Sequence, residues 1–420
     1  MRSYRFVHSA DIHLDSPLKG LSALQGNAVK LIRSAPRDAF EALISRTIEE
    51  DARFLIVAGD LYDGNWRDYQ TGVFFVHQMA RLREAGIRAY VTYGNHDAAS
   101  QITRPLPLRD TVTVFPTRSP RTHRIDELGV ALHGQSFGKR DVTKNLARNY
   151  PEPEPDLLNV GILHTGLESG EGHARYAPCS LHDLVNKGYD YWALGHIHQP
   201  GIRHERPYIV YSGNIQGRHI GEAGPRGAVL VTVEDGEIAE VAPFHVDLVR
   251  WEMVEVDATP CDSLQDLVDR IRDGIDAAVS NRSGGRLLAC RIAVSGRTSI
   301  HDQAVASQEK VQAEAQAAAA SLGEDRAWVE KVVIATKPRA SGGLDPTVAE
   351  LLGDLSAARY DEALQRQLRD DIGLLASRLP HELRADAEDA MLRAALSGDF
   401  EGLIGLAGPY AAARLVQGGD

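Results

Sequence analysis

The stretch Phe54-Leu-Ile-Val-Ala-Gly-Asp60 decides the fold, because five consecutive apolar residues end directly in a glycine and an aspartate. A short apolar run bounded by a turn residue is typical of a strand that is buried on both faces. Four further runs share this pattern: Tyr4–Ala10, Ile87–Tyr93, Leu157–Leu163 and Tyr189–Leu194. Amphipathic stretches alternate with the runs, so the first half of the chain is predicted to be a layered α/β domain.

Two helices are predicted between these strands. The first is expected to start at Pro36, a residue favoured in the first helical turn, and it continues through Phe40 and Leu43 at helical spacing. The second runs from about Asp68 to Glu84 and ends at Gly86, a common residue after a helix C-terminus.

A smaller α+β unit is predicted after about Val249. Its strands and helices alternate as Trp251–Val256, Ser263–Ala278, Arg286–Val294, Gln303–Ser321 and Trp328–Ala335. After a glycine-containing linker, three helices are predicted at Thr347–Ala357, Tyr360–Ser377 and His381–Leu396. The chain is therefore predicted to have three parts: a first domain at 1–248, a small α+β cap at 249–340 and a helical segment at 341–420.

Composition excludes several classes of protein. A chain of 420 residues is longer than one compact core usually organises. Its content of 43% hydrophobic and 25% charged residues is ordinary for globular proteins. The cysteines Cys179, Cys261 and Cys290 form no CxxC pair, which argues against a disulfide framework and a thiolate zinc site. Neither a membrane span of roughly 18 residues nor a signal peptide is present, so a cytoplasmic protein without a membrane partner is expected. The net charge of −12 argues mildly against nucleic-acid binding.

Polar side chains follow five of the predicted strands at the point where each strand ends. The groups are Asp11-Ile-His13, Gly59-Asp60, Gly94-Asn95-His96-Asp97, His164 and Gly195-His196-Ile-His198. In an open α/β sheet the strand ends converge on one edge, where ligands bind, so these side chains are expected to meet. Each group alone is weak, because Gly-Asn is common in turns and a single histidine is more often a buried structural residue.

The combination is more specific than its parts. Seven side chains supply oxygen and nitrogen donors without a thiolate: Asp11, His13, Asp60, Asn95, His164, His196 and His198. Such a set suits Mn²⁺, Fe²⁺ or Zn²⁺ rather than a structural zinc site. Seven donors are too many for one tetrahedral ion, and they predict two ions about 3.5–4 Å apart, an arrangement that clamps the attacking and leaving oxygens in a displacement at phosphorus.

In order and spacing, the set Asp-x-His, Gly-Asp, Gly-Asn-His-Asp, His and Gly-His-x-His resembles the calcineurin-like metallophosphoesterases over residues 11–198. The stretches 8–21 and 59–63 resemble more narrowly the bacterial break-repair exonuclease branch of that family, of the SbcD type and the YhaO-like group. The resemblance implies a four-layer α/β sandwich in which helices flank two central β-sheets. A small α+β cap and a helical C-terminal segment are implied to follow.

The resemblance also implies a role for each ligand. One divalent ion would be held by Asp11, His13, Asp60 and His198. The second would be held by Asp60, Asn95, His164 and His196, which makes Asp60 the bridging carboxylate.

His96 follows the implied ligand Asn95 without being a ligand itself. We expect His96 to donate a proton to the leaving oxygen or to orient the scissile phosphate. Asp97 is then a candidate for holding the His96 ring, and it fits the cap of a turn or helix equally well.

The function implied by the resemblance is hydrolysis of DNA phosphodiester bonds in DNA repair, as exonuclease or endonuclease, with two divalent ions. Mn²⁺ is the first choice for these ions, with Fe²⁺ or Zn²⁺ as alternatives. The same resemblance implies that the helical segment docks on an SMC-like ATPase subunit, and that the chain forms a homodimer.

Two other functions stay open. One is a phosphoesterase that acts on nucleotides or phosphoproteins, and the other is a scaffold that assembles the ATPase without catalysis. Protein phosphatases of this fold carry Arg and Glu where Gly64 and Asp97 stand, which disfavours the first. The complete ligand set together with His96 argues against the second. Asp63 stands where archaeal relatives of the branch carry histidine, so the strand polarity of an exonuclease is not transferred.

Overall fold

The computed structural model describes residues 3–14, 16, 26–63, 69–99, 111–167, 176–339, 363, 366–367, 369–372 and 390–406. These residues divide into two compact units. The first comprises the described parts of Met1–Glu252, Val279–Cys290 and Gly323–Trp328. The second comprises those of Met253–Ala278, Arg291–Leu322 and Val329–Asp420. The predicted boundaries at 248 and 340 stay predictions.

The first unit contains twelve strands within the described residues. They are β1 (Ser3–Ser9), β2 (Ala52–Ala58), β3 (Arg88–Thr92), β4 (Val112–Val114), β5 (Arg121–Ile125), β6 (Val130–Gly134), β7 (Leu158–His164), β8 (Tyr191–Gly195), β9 (Gly201–Glu205), β10 (Tyr208–Tyr211), β11 (Gly227–Glu234) and β12 (Glu237–His245). They form two sheets, in the orders β12-β11-β1-β2-β3-β4 and β5-β6-β7-β8-β10-β9. Strands β1 to β4 run parallel, as do β6, β7, β8 and β10, while the other four pair antiparallel.

The two sheets pack face to face through buried apolar side chains. Phe6 and Ile56 of the first sheet share one cluster with Val160 and Ala193 of the second. Four helices accompany the sheets: α1 (Asn27–Glu49), α2 (Tyr69–Glu84), α3 (Asn95–Ala99) and α4 (Leu181–Val185).

Helices cover the outer faces of both sheets. Phe40 of α1 and Phe75 of α2 pack with Leu55 of the first sheet, and Leu184 of α4 packs with Trp192 of the second. The predicted sandwich of two central sheets flanked by helices is therefore confirmed.

Helix α1 begins earlier than its sequence pattern predicts. Pro36 was expected at the helix start, but it lies inside α1, which begins at Asn27. A proline in a helix interior removes one backbone hydrogen bond. Here, Ala28 and Ile32 on the first turns are buried against Ile220 and Trp251, and this apolar contact favours the longer helix.

The smaller α+β region follows the predicted order of elements. It contains β13 (Val249–Asp257), α5 (Leu264–Arg282), β14 (Leu287–Ser295), β15 (Arg297–Thr298), α6 (His301–Ala306), α7 (Gln308–Leu322), β16 (Ala327–Ile334) and β17 (Lys337–Pro338). Strands β13, β14 and β16 form one sheet in that order. The single helix predicted at Gln303–Ser321 is wrong, because Ser307 leaves helical geometry at φ −102° and ψ 22° and separates α6 from α7.

Little of the C-terminal segment falls within the described residues. One helix, α8, is described at Ala390–Ser397, and 400–406 are also helical. The helix predicted at Thr347–Ala357 lies outside the described residues, as do most of Tyr360–Ser377 and the first part of His381–Leu396. No helix in the described part of the chain combines the length and hydrophobicity that crossing a bilayer requires.

Candidate metal centre

The predicted polar residues meet where the carboxyl ends of both sheets converge. Asp11 and His13 follow β1, Asp60 follows β2, and Asn95, His96 and Asp97 open α3 directly after β3. From the second sheet, His164 ends β7, and His196 and His198 follow β8. The structure describes all nine, and contacts between side chains or between side chain and backbone link all of them except Asp97 into one cluster.

The backbone at this edge is held in an unusual conformation. Asp11, His13, Asp60 and His196 have positive φ angles of 49°, 46°, 52° and 100°, which are uncommon for residues other than glycine. Backbone hydrogen bonds of 3.0 Å from Asp11 to the Gly59 carbonyl and from His13 to the Asp60 carbonyl join the two turns. Such strain clusters at functional sites, where the surrounding structure maintains it.

Three glycines leave room for the donors to approach one another. A Cβ atom on Gly59 would overlap His164, and one on Gly94 would overlap both His164 and Asp60. A Cβ atom on Gly195 would overlap the Ala58 carbonyl of β2. Glycine before Asp60, Asn95 and His196 is therefore a packing requirement of the cluster.

One group of donors contains Asp11, His13 and His198. Their ligand atoms all lie within 4.8 Å of one another. The Nε2 atoms of His13 and His198 face each other at 3.2 Å. All three belong to the first predicted ligand set, and the structure brings them together.

A second group of donors surrounds Asp60. Its Oδ2 lies 3.3 Å from His164 Nε2, which is also 3.0 Å from Asn95 Oδ1. The backbone N–H of His196 donates to both carboxylate oxygens of Asp11 at 3.0 Å, and its ring centre lies 5.2 Å from that of His164. Asp60 also falls within 4.8 Å of donor atoms of His13 and His96, so its position between the two sets fits a bridging carboxylate.

The buried carboxylates make the cluster attractive to cations. Burial opposes ionisation of Asp60, but His164, which hydrogen-bonds to it, holds the pKa of that carboxyl well below its usual range. Burial also disfavours a charged His164, yet Asp60 and Asp11 raise the pKa of that ring to about 9. Burial, together with the nearby Arg218, keeps the pKa of His13 well below its ordinary value, so this ring offers a free lone pair.

These residues fit divalent metal ions. All donors are carboxylate, amide or imidazole groups, the ligands preferred by Mn²⁺, Fe²⁺ and Zn²⁺ in open sites. His13 Nε2 lies 3.2 Å from His198 Nε2 and 3.9 Å from Asp60 Oδ2, so two imidazole nitrogens and a carboxylate oxygen face one another where a cation would fit. The cluster is thus a dinuclear divalent metal site, with Asp60 at its centre.

His96 is oriented by a residue other than the expected one. Its Nδ1 lies 2.8 Å from Asp63 Oδ1, and its backbone N–H donates to Asp60 Oδ1 at 2.9 Å. The Ser16 hydroxyl donates to the other oxygen of Asp63 at 2.5 Å. Although burial disfavours the charged ring, the bond to Asp63 raises the pKa of His96 above its ordinary value. The imidazolium form is therefore stabilised beside the metal-binding groups.

Asp97 was a candidate for holding the His96 ring, and the structure corrects this assignment. The Asp97 carboxylate is fully buried and accepts the backbone N–H groups of Leu61, Tyr62 and Gly94 at 3.2, 2.8 and 2.9 Å. Burial and the neighbouring charge of Asp60 raise the pKa of Asp97 to about 7. Since its oxygens are directed to the backbone, Asp97 joins the loop after β2 to the start of α3.

Two carboxylates near the metal ligands had no assigned role in the sequence analysis. Asp63 was noted only as a departure from the archaeal pattern, and Glu222 was not considered. Glu222 Oε1 lies 2.6 Å from His198 Nδ1 and 2.9 Å from Arg218 Nη2. The spacing within Gly-Asp-x-x-Asp63 was a usable signal, whereas Glu222 is far from every motif in sequence.

Comparisons with known proteins agree with this geometry. The sequence model of the calcineurin-like phosphoesterases matches residues 4–200, and that of the middle domain of metallophosphoesterase YhaO matches residues 251–337. The "Uncharacterized metallophosphoesterase YhaO" of Bacillus subtilis (strain 168) is 35% identical over 272 residues, which cover 64% of this chain and 66% of that protein.

Two more distant similarities cover less of the chain. The "DNA double-strand break repair protein Mre11" of Methanopyrus kandleri is 28% identical over 220 residues, which cover 47% of this chain and 45% of that protein. The crystal structure of a dimetal phosphatase from Danio rerio aligns with 55% of this chain and 93% of its own, at 10% identity and a TM-score of 0.33. The family match and the dinuclear donor set coincide in the first half of the chain. Over residues 4–200, this chain is therefore similar to the calcineurin-like phosphoesterases.

Proposed function

We propose that this chain is a metal-dependent phosphodiesterase that hydrolyses DNA in break repair, as exonuclease or endonuclease, with two ions of Mn²⁺. One observation carries the proposal: seven side chains with oxygen or nitrogen donors lie together at one sheet edge, beside a histidine that a carboxylate orients. The choice of DNA as substrate is supported by the similarity to a relative whose name places it in double-strand break repair.

The donors are assigned to the two positions as the family resemblance implies. Asp11, His13 and His198 would hold one ion, and Asn95, His164 and His196 the other, with Asp60 between them. When bound, two divalent ions supply positive charge to the phosphate and activate a water for attack. The strained turns fix the donors before substrate arrives, so little reorganisation is needed during the reaction.

His96 supplies the proton that the leaving oxygen requires. Asp63 accepts from Nδ1, which leaves Nε2 of the protonated ring as the donor toward substrate. The Ser16 hydroxyl donates to the Asp63 carboxylate, and Asp60 accepts the backbone N–H of His96. These two contacts hold the carboxylate and the histidine in place. A general acid of this kind contributes typically about 10²–10⁴-fold to the rate.

Hydrolysis assays with matched substrates test the proposal. Metal-free protein is reconstituted with Mn²⁺ and incubated with end-labelled duplex DNA, circular single-stranded DNA, nucleoside triphosphates and a phosphopeptide. We expect the DNA to be degraded and Asp60→Asn to abolish degradation. If the protein hydrolyses only the nucleotides or only the phosphopeptide, DNA is not its substrate. Inactivity on every substrate would support the scaffold alternative.

The partners and the cellular location stay predictions. We propose that the segment 341–420 docks on an SMC-like ATPase and that the chain acts in the cytoplasm, as a homodimer. The ATPase would also supply the DNA affinity that a chain with a net charge of −12 lacks by itself.

A further inference from the structure

Glu222 makes a short side-chain contact to His198, an implied metal ligand. It ends the short 3₁₀ turn Ile220–Glu222 and is 5% exposed. Its Oε1 lies 2.6 Å from His198 Nδ1. The other ring nitrogen of His198 faces His13 Nε2 at 3.2 Å, on the side of the metal donors. The carboxylate therefore stands behind the ring, opposite the proposed ion.

The Glu222 carboxylate is held firmly by three donors. Its Oε2 accepts from Asn214 Nδ2 at 2.9 Å and from the Arg218 backbone N–H at 2.8 Å, while Arg218 Nη2 donates to Oε1 at 2.9 Å. The buried Arg226 donates to the backbone carbonyls of both Glu222 and His198. The relative position of carboxylate and ring is thus fixed through side chains and backbone together.

We propose that Glu222 is a positioning residue that orients His198 for the metal. By accepting the Nδ1–H of His198, Glu222 selects the tautomer whose Nε2 lone pair points to the ion. The inference rests on the proposed role of His198 as a metal ligand, and it does not depend on DNA being the substrate.

The position of Glu222 predicts that its loss affects the two ions unequally. His198 groups with Asp11 and His13, whereas His164 contacts Asp60 and Asn95. Among the described residues, the side-chain contacts of Glu222 on the metal side go to His198. The ion beside His198 is therefore expected to weaken much more than its neighbour.

Calorimetric titration of metal-free protein with Mn²⁺ tests this inequality. In Glu222→Ala, we expect one of the two binding events to weaken about 10–100-fold and the other to change less than about threefold. Glu222→Gln keeps an oxygen that can accept from His198, but its amide N–H₂ group faces Arg218 or Asn214, which are donors themselves. An intermediate loss of affinity for that ion is therefore expected. Glu50→Ala is the matched control, because Glu50 is a partly buried carboxylate that binds Arg5 and Arg46 at the opposite end of β1.

A spectroscopic signature separates positioning from a general loss of structure. In protein loaded with Zn²⁺ as a diamagnetic probe, the Nδ1–H proton of His198 should resonate downfield, and Glu222→Ala should remove that signal while other histidine signals persist. Wild-type affinity for both ions in Glu222→Ala, or equal weakening of both ions, would overturn the inference. Failure of the wild-type protein to degrade DNA would refute only the proposed substrate, because both readouts measure metal binding.

Discussion

Replacing Asp97 by alanine is expected to destabilise the protein strongly, although Asp97 touches no implied metal-binding atom. Its carboxylate accepts three buried backbone N–H groups, from Leu61, Tyr62 and Gly94. Leu61 and Tyr62 directly follow Asp60 in the chain, and Gly94 directly precedes Asn95. Asp97 therefore secures the two loops that carry the bridging carboxylate and a ligand of the second ion.

The size of the effect follows from the donors left without a partner. Each buried N–H that loses its acceptor costs about 1–3 kcal/mol. If a water enters the vacated space and satisfies one donor, Asp97→Ala lowers the free energy of unfolding by about 2–6 kcal/mol. Asp97→Asn keeps one carbonyl oxygen and loses about 1–3 kcal/mol. Both losses are large against the roughly 5–15 kcal/mol that stabilise a typical domain.

Urea unfolding of the metal-free protein measures these losses. Tryptophan fluorescence is a suitable signal, because Trp192 is fully buried in the second sheet. The measurement is made at pH 6, because burial and the charge of Asp60 raise the pKa of Asp97 to about 7, and at higher pH the cost of ionising this buried carboxyl in the wild type would offset the expected difference. Unfolding of Asp97→Ala within 1 kcal/mol of wild type, together with loss of phosphodiester hydrolysis, would refute a structural role and restore Asp97 as a catalytic candidate.

Four further predictions address the site, the tail and the core. Asp60→Asn should weaken both ions together and abolish hydrolysis, as measured by metal analysis and by DNA degradation. His96→Ala should keep both ions and lose at least ~100-fold on DNA, with a much smaller loss on bis-p-nitrophenyl phosphate, whose leaving group departs without a proton. Deleting 341–420 should abolish co-purification with the SMC-like ATPase while hydrolysis of bis-p-nitrophenyl phosphate persists. Burial lowers the pKa of His8 to about 3, so the ring gains a proton only on unfolding, and stability falls as pH drops. Between pH 7 and pH 5 this contributes a loss of about 2 kcal/mol, which His8→Phe should remove in urea unfolding at the two pH values.

Specific outcomes would contradict these predictions. Two fully occupied ions in Asp60→Asn would exclude a bridging role. Equal losses of His96→Ala on the two substrates would indicate phosphate orientation, and loss of an ion would make His96 a ligand. Unfolding of the truncated protein would place 341–420 in the core. An unchanged pH dependence in His8→Phe would assign the acid sensitivity to other groups.

Five of the twelve strands described in the first unit, and the polar side chains that follow them, were predictable from the sequence for a physical reason. A strand buried on both faces must be apolar throughout, so runs such as Phe54–Ala58 stand out locally. The strands of a parallel sheet place their carboxyl ends at one edge, so donors directly after several runs are expected to meet there. The glycine before Asp60 and the one before Asn95 are part of the same local signal, since a Cβ atom at either position would overlap His164.

Local patterns failed where distant contacts decide the outcome. Pro36 is a reasonable helix start in isolation, but burial of the preceding turn against Trp251 extends α1 past it. Asp97 lies next to His96 in sequence, yet its carboxylate faces the backbone of Leu61 and Tyr62. Adjacent side chains on a helix point in different directions, so proximity in sequence does not predict a contact between them.

Metal ligands and the residues that orient them differ in how far the sequence reveals them. Ligands must project from strand ends, so their spacing is tied to the sheet and is visible in one chain. A supporting carboxylate needs only to reach the rear of a histidine ring at the site, and any segment that folds back can supply it. Asp63 does so from the loop after β2, and Glu222 does so from a turn 24 residues beyond His198. The sequence by itself therefore determined the buried strands and the candidate donors at their ends, while the tertiary structure decided which carboxylates hold His96 and His198 in place.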